Sequence, residues 1–282
     1  MTTTTAGITT NSVAAPRRRP RASRRVPSWV KWALAVGTPV LLLAVWWIAS
    51  AQSSNTFFPP LEQILIRFQQ LWLFEHFPTD VVPSLANLAG GYAIAAVSGI
   101  ALGFALALVR PLRWLLEPII HFVRSIPPVA LVPVFITLIG FGNDMRIISI
   151  ALAAMSPTLI ATMDGIRSVD GTLKDVSVVY RLTRTEKFTQ VYLPAAAPQI
   201  FSGLQVSLQV AFIVMIASEM LGAATGIGAL TLTAQQSFMI ADMWAGVLLL
   251  GVLGFLINKI FDLVKARILA WYFGAKEAQR AT

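Results

Sequence analysis

Residues 85–109 read Leu85-Ala-Asn-Leu-Ala-Gly-Gly-Tyr-Ala-Ile-Ala-Ala-Val-Ser-Gly-Ile-Ala-Leu-Gly-Phe-Ala-Leu-Ala-Leu-Val109 and contain no charged side chain. A helix that crosses a bilayer needs about 20 predominantly apolar residues, so this run is long enough to span a membrane. Five other runs have the same character, at residues 32–51, 125–142, 147–163, 195–218 and 243–258, the last extending into 259–264. The sequence therefore predicts an all-α, polytopic membrane helix bundle with six transmembrane helices.

The composition agrees with a membrane protein. Hydrophobic residues make up 56% of the chain and charged residues 12%, whereas a soluble domain carries about 25% charged residues. These values exclude a disordered chain, a cytosolic enzyme and a small disulfide scaffold. The chain has no cysteine, and its two histidines, His76 and His121, are far apart, so no metal site is predicted.

The net charge of +9 indicates membrane orientation rather than nucleic-acid binding. Cytoplasmic loops of membrane proteins carry an excess of Lys and Arg. With six spans and a cytoplasmic N-terminus, 19 of the 22 cations fall on the cytoplasmic side, Arg67 and Arg146 fall on the opposite side, and Arg124 lies at the start of the third span. We expect a multi-pass protein of the cell membrane with both termini in the cytoplasm.

Residues 220–241 form an uncharged segment that is long enough to be a seventh span. They include Gly222-Ala-Ala-Thr-Gly-Ile-Gly228 and Thr231-Leu-Thr-Ala-Gln-Gln-Ser237. Glycines and polar side chains at this density favour an irregular or re-entrant segment buried in protein. A seventh span would also move the C-terminal cations to the outside, so we expect six spans.

Residues 1–30 are predicted to form a disordered, basic cytoplasmic tail, because they carry an Arg-rich stretch at 17–25 and no acidic residue. A signal peptide cleaved near residues 49–51 and an organellar transit peptide are alternatives, but a retained anchor fits the long apolar run better. Residues 31–272 would then form the transmembrane domain, and residues 273–282 a short cytoplasmic tail.

Local patterns predict how the helices pack. The small residues Gly99 and Gly103 form a close-packing motif that is expected to join helices within this chain. Prolines predict kinks in the third and fourth spans; they are Pro127, Pro128, Pro133 and Pro157. An apolar stripe in residues 61–77 predicts an amphipathic helix that either lies on the outer membrane surface or packs against the bundle.

Few polar residues fall inside the predicted spans. Glu219 follows an uncharged run, and its carboxylate either lines a transport route or is a structural group, capped by the backbone of residues 222–228 or paired with a cation. Gln205 and Gln209 lie one turn apart and either line the same route or hydrogen-bond a neighbouring helix. These three residues are the candidate lining of a transport path.

No catalytic constellation is recognisable in the sequence. Nothing matches the nucleotide-binding pattern G-x-x-x-x-G-K-[ST], and Gly226-Ile-Gly228 fails the dinucleotide fingerprint because it follows no strand. No Ser–His–Asp grouping and no carboxylate pair on one intramembrane face is predicted. Energy for any transport must therefore come from a partner.

Residues 164–194 form a long, charged loop on the predicted cytoplasmic side, between the fourth and fifth spans. The loop is expected to contain two short helices. Thr183 and Glu186, three residues later, match a capping box at the start of the second helix. An exposed helix of this kind is suited to docking a soluble partner.

The loop resembles the cytoplasmic motif of binding-protein-dependent ABC importer permeases: Glu-Ala-Ala, three residues, Gly, nine residues, Ile, any residue, Leu-Pro. Here Asp175-Val176-Ser177 stands for Glu-Ala-Ala, Arg181 for Gly, and Val191-Tyr192-Leu193-Pro194 for the ending, with the spacing intact. Further segments look like the nitrate, sulfonate, taurine and bicarbonate branch: Arg124-Ser-Ile-Pro-Pro-Val-Ala-Leu-Val-Pro133, Phe141-Gly142, Ala217-Ser-Glu-Met-Leu221 and Gly226-Ile-Gly228. The resemblance covers residues 58–272.

This resemblance implies a type I importer permease fold, with residues 31–272 as the permease domain and 164–194 as the coupling loop. It implies a cytoplasmic ABC ATPase dimer that binds ATP and Mg²⁺, a second permease subunit in a homodimer, an extracytoplasmic solute-binding protein and surrounding lipid, with no cofactor in this chain. The residues implied to contact the ATPase are Asp175, Ser177, Arg181, Leu182, Thr183, Thr185, Glu186, Leu193 and Pro194.

The alternative is a secondary transporter driven by an ion gradient, which would require several intramembrane carboxylates. The substrate that the resembled branch suggests is a sulfonate-, taurine- or nitrate-like anion, although some members carry uncharged heterocycles. Glu219 and the lack of a cation at the middle of a span argue against a strong anion site.

Overall fold

The computed structural model describes residues 27–51 and 55–281, so most of the predicted basic tail, residues 1–26, lies outside the described residues. The described residues form helices and no strand. The α-helices are α1 (Ser28–Ser50), α2 (Leu61–Phe68), α3 (Val82–Leu108), α4 (Arg110–Ser125), α5 (Val132–Ile139), α6 (Asn143–Arg167), α7 (Gly171–Val179), α8 (Arg184–Glu186), α9 (Leu193–Gly222), α10 (Ile227–Gln236), α11 (Ile240–Ile268) and α12 (Ala270–Ala281). Gln69–Glu75, Phe77–Val81 and Lys187–Tyr192 are π-helical, and Pro128–Leu131 is a 3-10 helix.

The chain divides into two units, Met1–Ile48 and Ala49–Thr282. In the first unit the described structure is most of α1, whose apolar part, Val36–Ser50, is shorter than a full span. The first predicted span, at residues 32–51, therefore stays a prediction. In the second unit, the domain boundary predicted at residue 272 falls inside α12.

Four continuous helices of the described chain are long and apolar enough to cross a membrane: Phe77–Leu108, Asn143–Arg167, Arg184–Gly222 and Ile240–Ile268. They coincide with the second, fourth, fifth and sixth predicted spans. The last continues well beyond residue 258, as its charged extension predicted.

The third predicted span is a broken helix. The axes of α4 and of the segment Pro128–Ile139 differ by 90°, because Pro127 and Pro128 lack the N–H groups that a continuing helix requires. The kink predicted there is confirmed and is sharp. Pro133 instead lies in the first turn of α5, where a missing N–H costs little, and Pro157 lies inside the continuous α6. With the bent pair counted as one span the described helices give five spans, and the total of six stays a prediction.

Helices α3, α6 and α9 pack side by side at the centre of the second unit. A Cβ atom on Gly103 would lie 2.6 Å from Cβ of Thr162, and one on Gly99 would lie 2.9 Å from Cβ of Thr158. These glycines therefore let α3 approach α6 closely, which confirms the packing within the chain that their spacing predicted. The central apolar cluster is Leu88, Ala95, Val132, Ile150, Ala154, Ala211, Val214 and Met215.

The amphipathic segment before α3 packs against the bundle, the second of its two predicted alternatives. Leu61, Ile64 and Trp72 are buried, and α2 contacts α11. Arg67 pairs with Asp242 of α11, with its second terminal nitrogen donating to Oδ2 at 2.7 Å. The hydrogen bond to Asp242 raises the pKa of Arg67.

The backbone of residues 220–241 is irregular only at 223–226 and 237–239. Between these links α10 is a ten-residue helix, too short to be a seventh span, and it packs against α9 and α11. Of the two predicted alternatives, the irregular one is therefore wrong for residues 231–236, and the re-entrant one stays a prediction. The Thr231 hydroxyl donates to the Ile227 carbonyl at 2.7 Å inside the helix, so it supplements the backbone bonds and does not break them.

Candidate functional site

The charged loop contains two short helices, as its sequence predicts. Helix α7 begins after Asp170, whose side chain accepts a hydrogen bond from the Thr172 backbone N–H at 2.9 Å. The segment between α6 and α9 is thus held by local bonds. Its last part, from Arg184 onward, continues without a break into α9.

The end of α7 is closed by two backbone bonds around Arg181. Its N–H donates to Val178 O at 2.9 Å, and the next N–H, of Leu182, donates to Ser177 O at 3.1 Å. This pattern is a helix C-terminal motif that places one residue in the left-handed region. Arg181 has φ 51°, where glycine is favoured.

The predicted capping box is present at the start of α8. The Thr183 backbone N–H donates to Glu186 Oε2 at 2.7 Å, and the Glu186 N–H donates to Thr183 Oγ1 at 3.3 Å. These two bonds satisfy backbone donors that a helix start otherwise leaves free. The turn is therefore held in one conformation by its own sequence.

An aromatic contact anchors this segment to the bundle. The rings of Phe188 and Phe104 on α3 lie 4.6 Å apart between centroids, next to the buried residues Ile166, Ala196 and Ile200. The contact fixes the segment at the end of the bundle where α6 ends and α9 begins.

The residues predicted to contact the ATPase lie on α7, on α8 and in the first turn of α9. Ser177 is buried and its hydroxyl donates to Lys174 O at 2.6 Å. Leu193 and Pro194 form the first turn of α9. The remaining predicted residues are exposed or half-buried on the outer side; they are Asp175, Arg181, Leu182, Thr183, Thr185 and Glu186.

An apolar surface that the sequence motif did not predict lies at the end of α7. Val178, Val179 and Tyr180 are 62%, 78% and 75% exposed. Three adjacent apolar side chains exposed in a charged loop are typical of a surface that a partner covers. These three residues lie at unspecified positions of the motif, so the motif spacing could not identify them.

The carboxylate of Glu219 is completely buried and capped by backbone and hydroxyl groups. Its Oε2 accepts a hydrogen bond from the Gly228 N–H at 2.9 Å, and its Oε1 bonds to the Ser84 hydroxyl of α3. Gly226 has φ 123°, and a Cβ there would lie 2.6 Å from the Glu219 carboxyl carbon. This is the geometry of a structural carboxylate capped by the 222–228 backbone.

A second buried carboxylate, Asp80, holds the same link from the other side. Its Oδ1 accepts from the Gly226 N–H at 2.7 Å, and its Oδ2 lies 3.1 Å from His76 Nδ1. Asp80 and Glu219 together thus hold the start of α10 against α3. Asp80 was not predicted as part of this site, because it is 146 residues from Gly226 and belongs to no motif.

Gln205 bonds a neighbouring helix, as one of its two alternatives predicted. Its Nε2 donates to Asp262 Oδ1 at 3.1 Å, and its Oε1 accepts from Lys265 Nζ at 3.0 Å, so it bridges an acid and a base of α11. Gln209, one turn later, is exposed. The structure therefore does not bring Gln205 and Gln209 together with Glu219 into one polar site.

Two adjoining cavities of about 340 and 380 Å³ lie between the α4–α5 break, α6 and α9. Arg124, Ser156 and Pro157 line both of them. Ser156 and Pro157 lie near the midpoint of α6. Among the described residues, no group of three or more metal-ligating side chains comes together.

Comparison with known proteins agrees with this architecture. Residues 99–271, more than half of the chain, match the family described as binding-protein-dependent transport system inner membrane component. The putative aliphatic sulfonates transport permease protein SsuC of Bacillus subtilis is 29% identical over 259 residues, which cover 91% of this chain and 92% of SsuC. The nitrate import permease protein NrtB of Synechocystis sp. is 29% identical over 280 residues, 95% of this chain and 98% of NrtB.

The fold is also similar to that of a solved transporter. A chain of the MetNI methionine ABC transporter, in an inward facing conformation, superposes with a TM-score of 0.57 at 20% identity, over 67% of this chain and 94% of that one. This likeness confirms the predicted type I importer permease fold.

Proposed function

Because this chain belongs to the family of binding-protein-dependent transport system inner membrane components, we propose that its residues 164–194 dock a cytoplasmic ATPase. As a member of that family it is the permease subunit of an ABC importer, a multi-pass inner-membrane protein and not itself an enzyme. The family assignment also favours this function over an ion-gradient-driven carrier.

The observation that supports docking is the combination of a fixed turn with an exposed apolar surface. The capping box of Thr183 and Glu186 fixes the start of α8, and Val179 and Tyr180 extend into solvent beside it. A rigid, pre-formed surface segment loses little conformational entropy when a partner binds it. We propose that the apolar side chains supply contact area and that the capped turn supplies orientation.

The segment is connected rigidly to a span. Helix α8, the π-helical residues and α9 form one continuous helix of 39 residues, Arg184–Gly222. A displacement of the docked end therefore moves α9, which packs on α3 and α6 in the centre of the bundle. ATP binding to the partner would thereby rock the bundle between inward-open and outward-open states.

We propose that two copies of this chain form the translocation path, that two ATPases hold ATP and Mg²⁺, and that an extracytoplasmic binding protein delivers the solute. The proposed solute is a small sulfonate- or nitrate-like anion. It is supported by the relatives named for aliphatic sulfonates, taurine and nitrate, which match most of the chain.

Uptake into proteoliposomes tests this function. The permease is reconstituted with its companion ATPase, and the binding protein is added outside together with radiolabelled taurine or nitrate. We expect uptake that requires enclosed ATP and the ATPase. Uptake that needs no ATPase and follows an imposed ion gradient would contradict the proposal.

A further inference from the structure

An unpaired cation lines two cavities beside the break between α4 and α5. Arg124 lines the cavities of about 340 and 380 Å³ together with Ser156 and Pro157, which lie about halfway along α6. Arg124 is the next-to-last residue of α4, directly before the 90° break that separates α4 from the segment Pro128–Ile139.

No carboxylate is bonded to Arg124, although Glu117 and Asp164 line a neighbouring cavity with it. No hydrogen bond or ion pair joins it to any other residue that the structure describes, and its side chain is exposed. Glu117, two turns earlier on α4, lies 3.8 Å from Arg113. The guanidinium lines cavities of about 340 and 380 Å³, which have room for a small anion.

The helix break positions this cation. Arg124 lies in the last turn of α4, where the helix dipole favours positive charge, and Pro127 and Pro128 then turn the chain away from the axis of α4. The break opens the space between α4, α6 and α9 that the two cavities occupy.

The two cavities differ in polarity. Arg124 is the one charged side chain among the described residues that line the first cavity. The second cavity adds the neutral polar side chains of Gln199 and Ser202, and the carboxylate of Asp164 near the end of α6. Because Arg124 lines both cavities, an anion that moves from the first to the second stays near the guanidinium and comes closer to the Asp164 carboxylate, whose repulsion favours its release.

We propose that Arg124 is the residue that selects an oxyanion in the translocation path. This inference rests on the proposed function and narrows it, since it names the side chain that would recognise the solute. A guanidinium binds planar or tetrahedral oxyanions through two parallel hydrogen bonds. The Ser156 hydroxyl, which lines the same cavities, supplies a neutral donor beside it.

The test compares Arg124→Gln with Arg110→Gln in the complete reconstituted complex. Arg110 is an exposed cation on the same helix, and it does not line these cavities. We expect Arg124→Gln to lower taurine or nitrate uptake at least tenfold, while ATPase activity stimulated by the liganded binding protein stays within twofold of wild type. Arg110→Gln should leave both unchanged.

A chemical rescue separates recognition from folding. The chain has no cysteine, so Arg124→Cys provides a single thiol that 2-aminoethyl methanethiosulfonate converts to a cation. We expect this reagent to restore uptake several-fold, and its neutral methyl analogue to restore none. Equal uptake by wild type and Arg124→Gln, or no difference between the two reagents, would overturn the inference alone. Wild-type uptake of a neutral solute and of no anion would instead overturn the proposed substrate class, and the inference with it.

Discussion

The backbone N–H of Leu182 donates to the carbonyl oxygen of Ser177 across 3.1 Å, and this bond closes the last turn of α7. Arg181, which precedes Leu182, is thereby held at φ 51°. The motif that this loop resembles has glycine at the same place. A helix that ends in this motif places one residue in the left-handed region, where glycine has no Cβ to clash. The conformation typical of glycine is therefore present here although the residue is arginine.

Replacing Arg181 by glycine should stabilise the segment. Left-handed backbone costs a residue with a Cβ about 1–2 kcal/mol, and part of this gain is lost to the greater freedom of glycine in the unfolded chain. We expect a net gain of about 1 kcal/mol, measured as slower amide hydrogen exchange in residues 171–183. Arg181→Ala is the control, since it removes the side chain and keeps the strain. Equal exchange in the two variants would contradict the strain argument.

Loss of the Thr183 cap should loosen the turn. Thr183→Ala removes the oxygen that accepts the Glu186 N–H, which costs about 1 kcal/mol of local stability. We expect faster exchange in residues 183–188 and weaker stimulation of the ATPase.

Thr172→Ala is the matched control for the cap. Thr172 is an exposed threonine at the start of α7 that donates its backbone N–H, but not its side chain, to Asp170. If the two alanine variants show equal amide exchange in residues 183–188 and equal stimulation of the ATPase, the capping box does not stabilise the segment.

A charge on the exposed apolar surface should impair docking without unfolding the permease. Val179 is 78% exposed, so Val179→Asp removes no core contact and places a carboxylate where we propose that the partner lies. We expect copurification of the ATPase to fall at least fivefold, with an unchanged thermal midpoint for the isolated permease. Val179→Thr, which keeps the shape and adds no charge, should copurify normally.

Gly226 should tolerate no side chain. A Cβ there would lie 2.6 Å from the buried Glu219 carboxyl carbon, and φ 123° is strained for any other residue. Together these effects should cost more than about 2 kcal/mol. We expect Gly226→Ala to lower the thermal midpoint in detergent, whereas Gly251→Ala, in α11 with nothing within 4 Å of its Cβ position, should not. Equal thermal midpoints for the two variants would show that close packing of Gly226 against Glu219 does not stabilise the fold.

Features that depend on local sequence were predicted well. The positions of four spans follow from apolar length, the Thr183–Glu186 box from a three-residue spacing, and the helix break from Pro127 and Pro128. Each of these is decided within a few residues, so a single sequence is sufficient to predict it.

Features that depend on distant parts of the chain were not predicted. Asp80 and Ser84 meet Glu219 and Gly226 only after α3, α9 and α10 have packed. The position of Arg124 beside the midpoint of α6 likewise depends on the 90° angle at the break. Prolines predict that a helix bends, but the direction of the bend is decided by the helices against which it packs.

Crosslinking through one introduced thiol tests the central claim, that residues 164–194 are held by a cytoplasmic ATPase. The chain contains no cysteine, and Thr185 is an exposed residue of α8, so Thr185→Cys gives a single reporter. We predict that a short thiol-reactive crosslinker joins it to the companion ATPase in inverted membrane vesicles, and that ATP changes the yield. Labelling of this thiol by an impermeant reagent added outside intact cells, with no crosslink to the ATPase, would contradict the account.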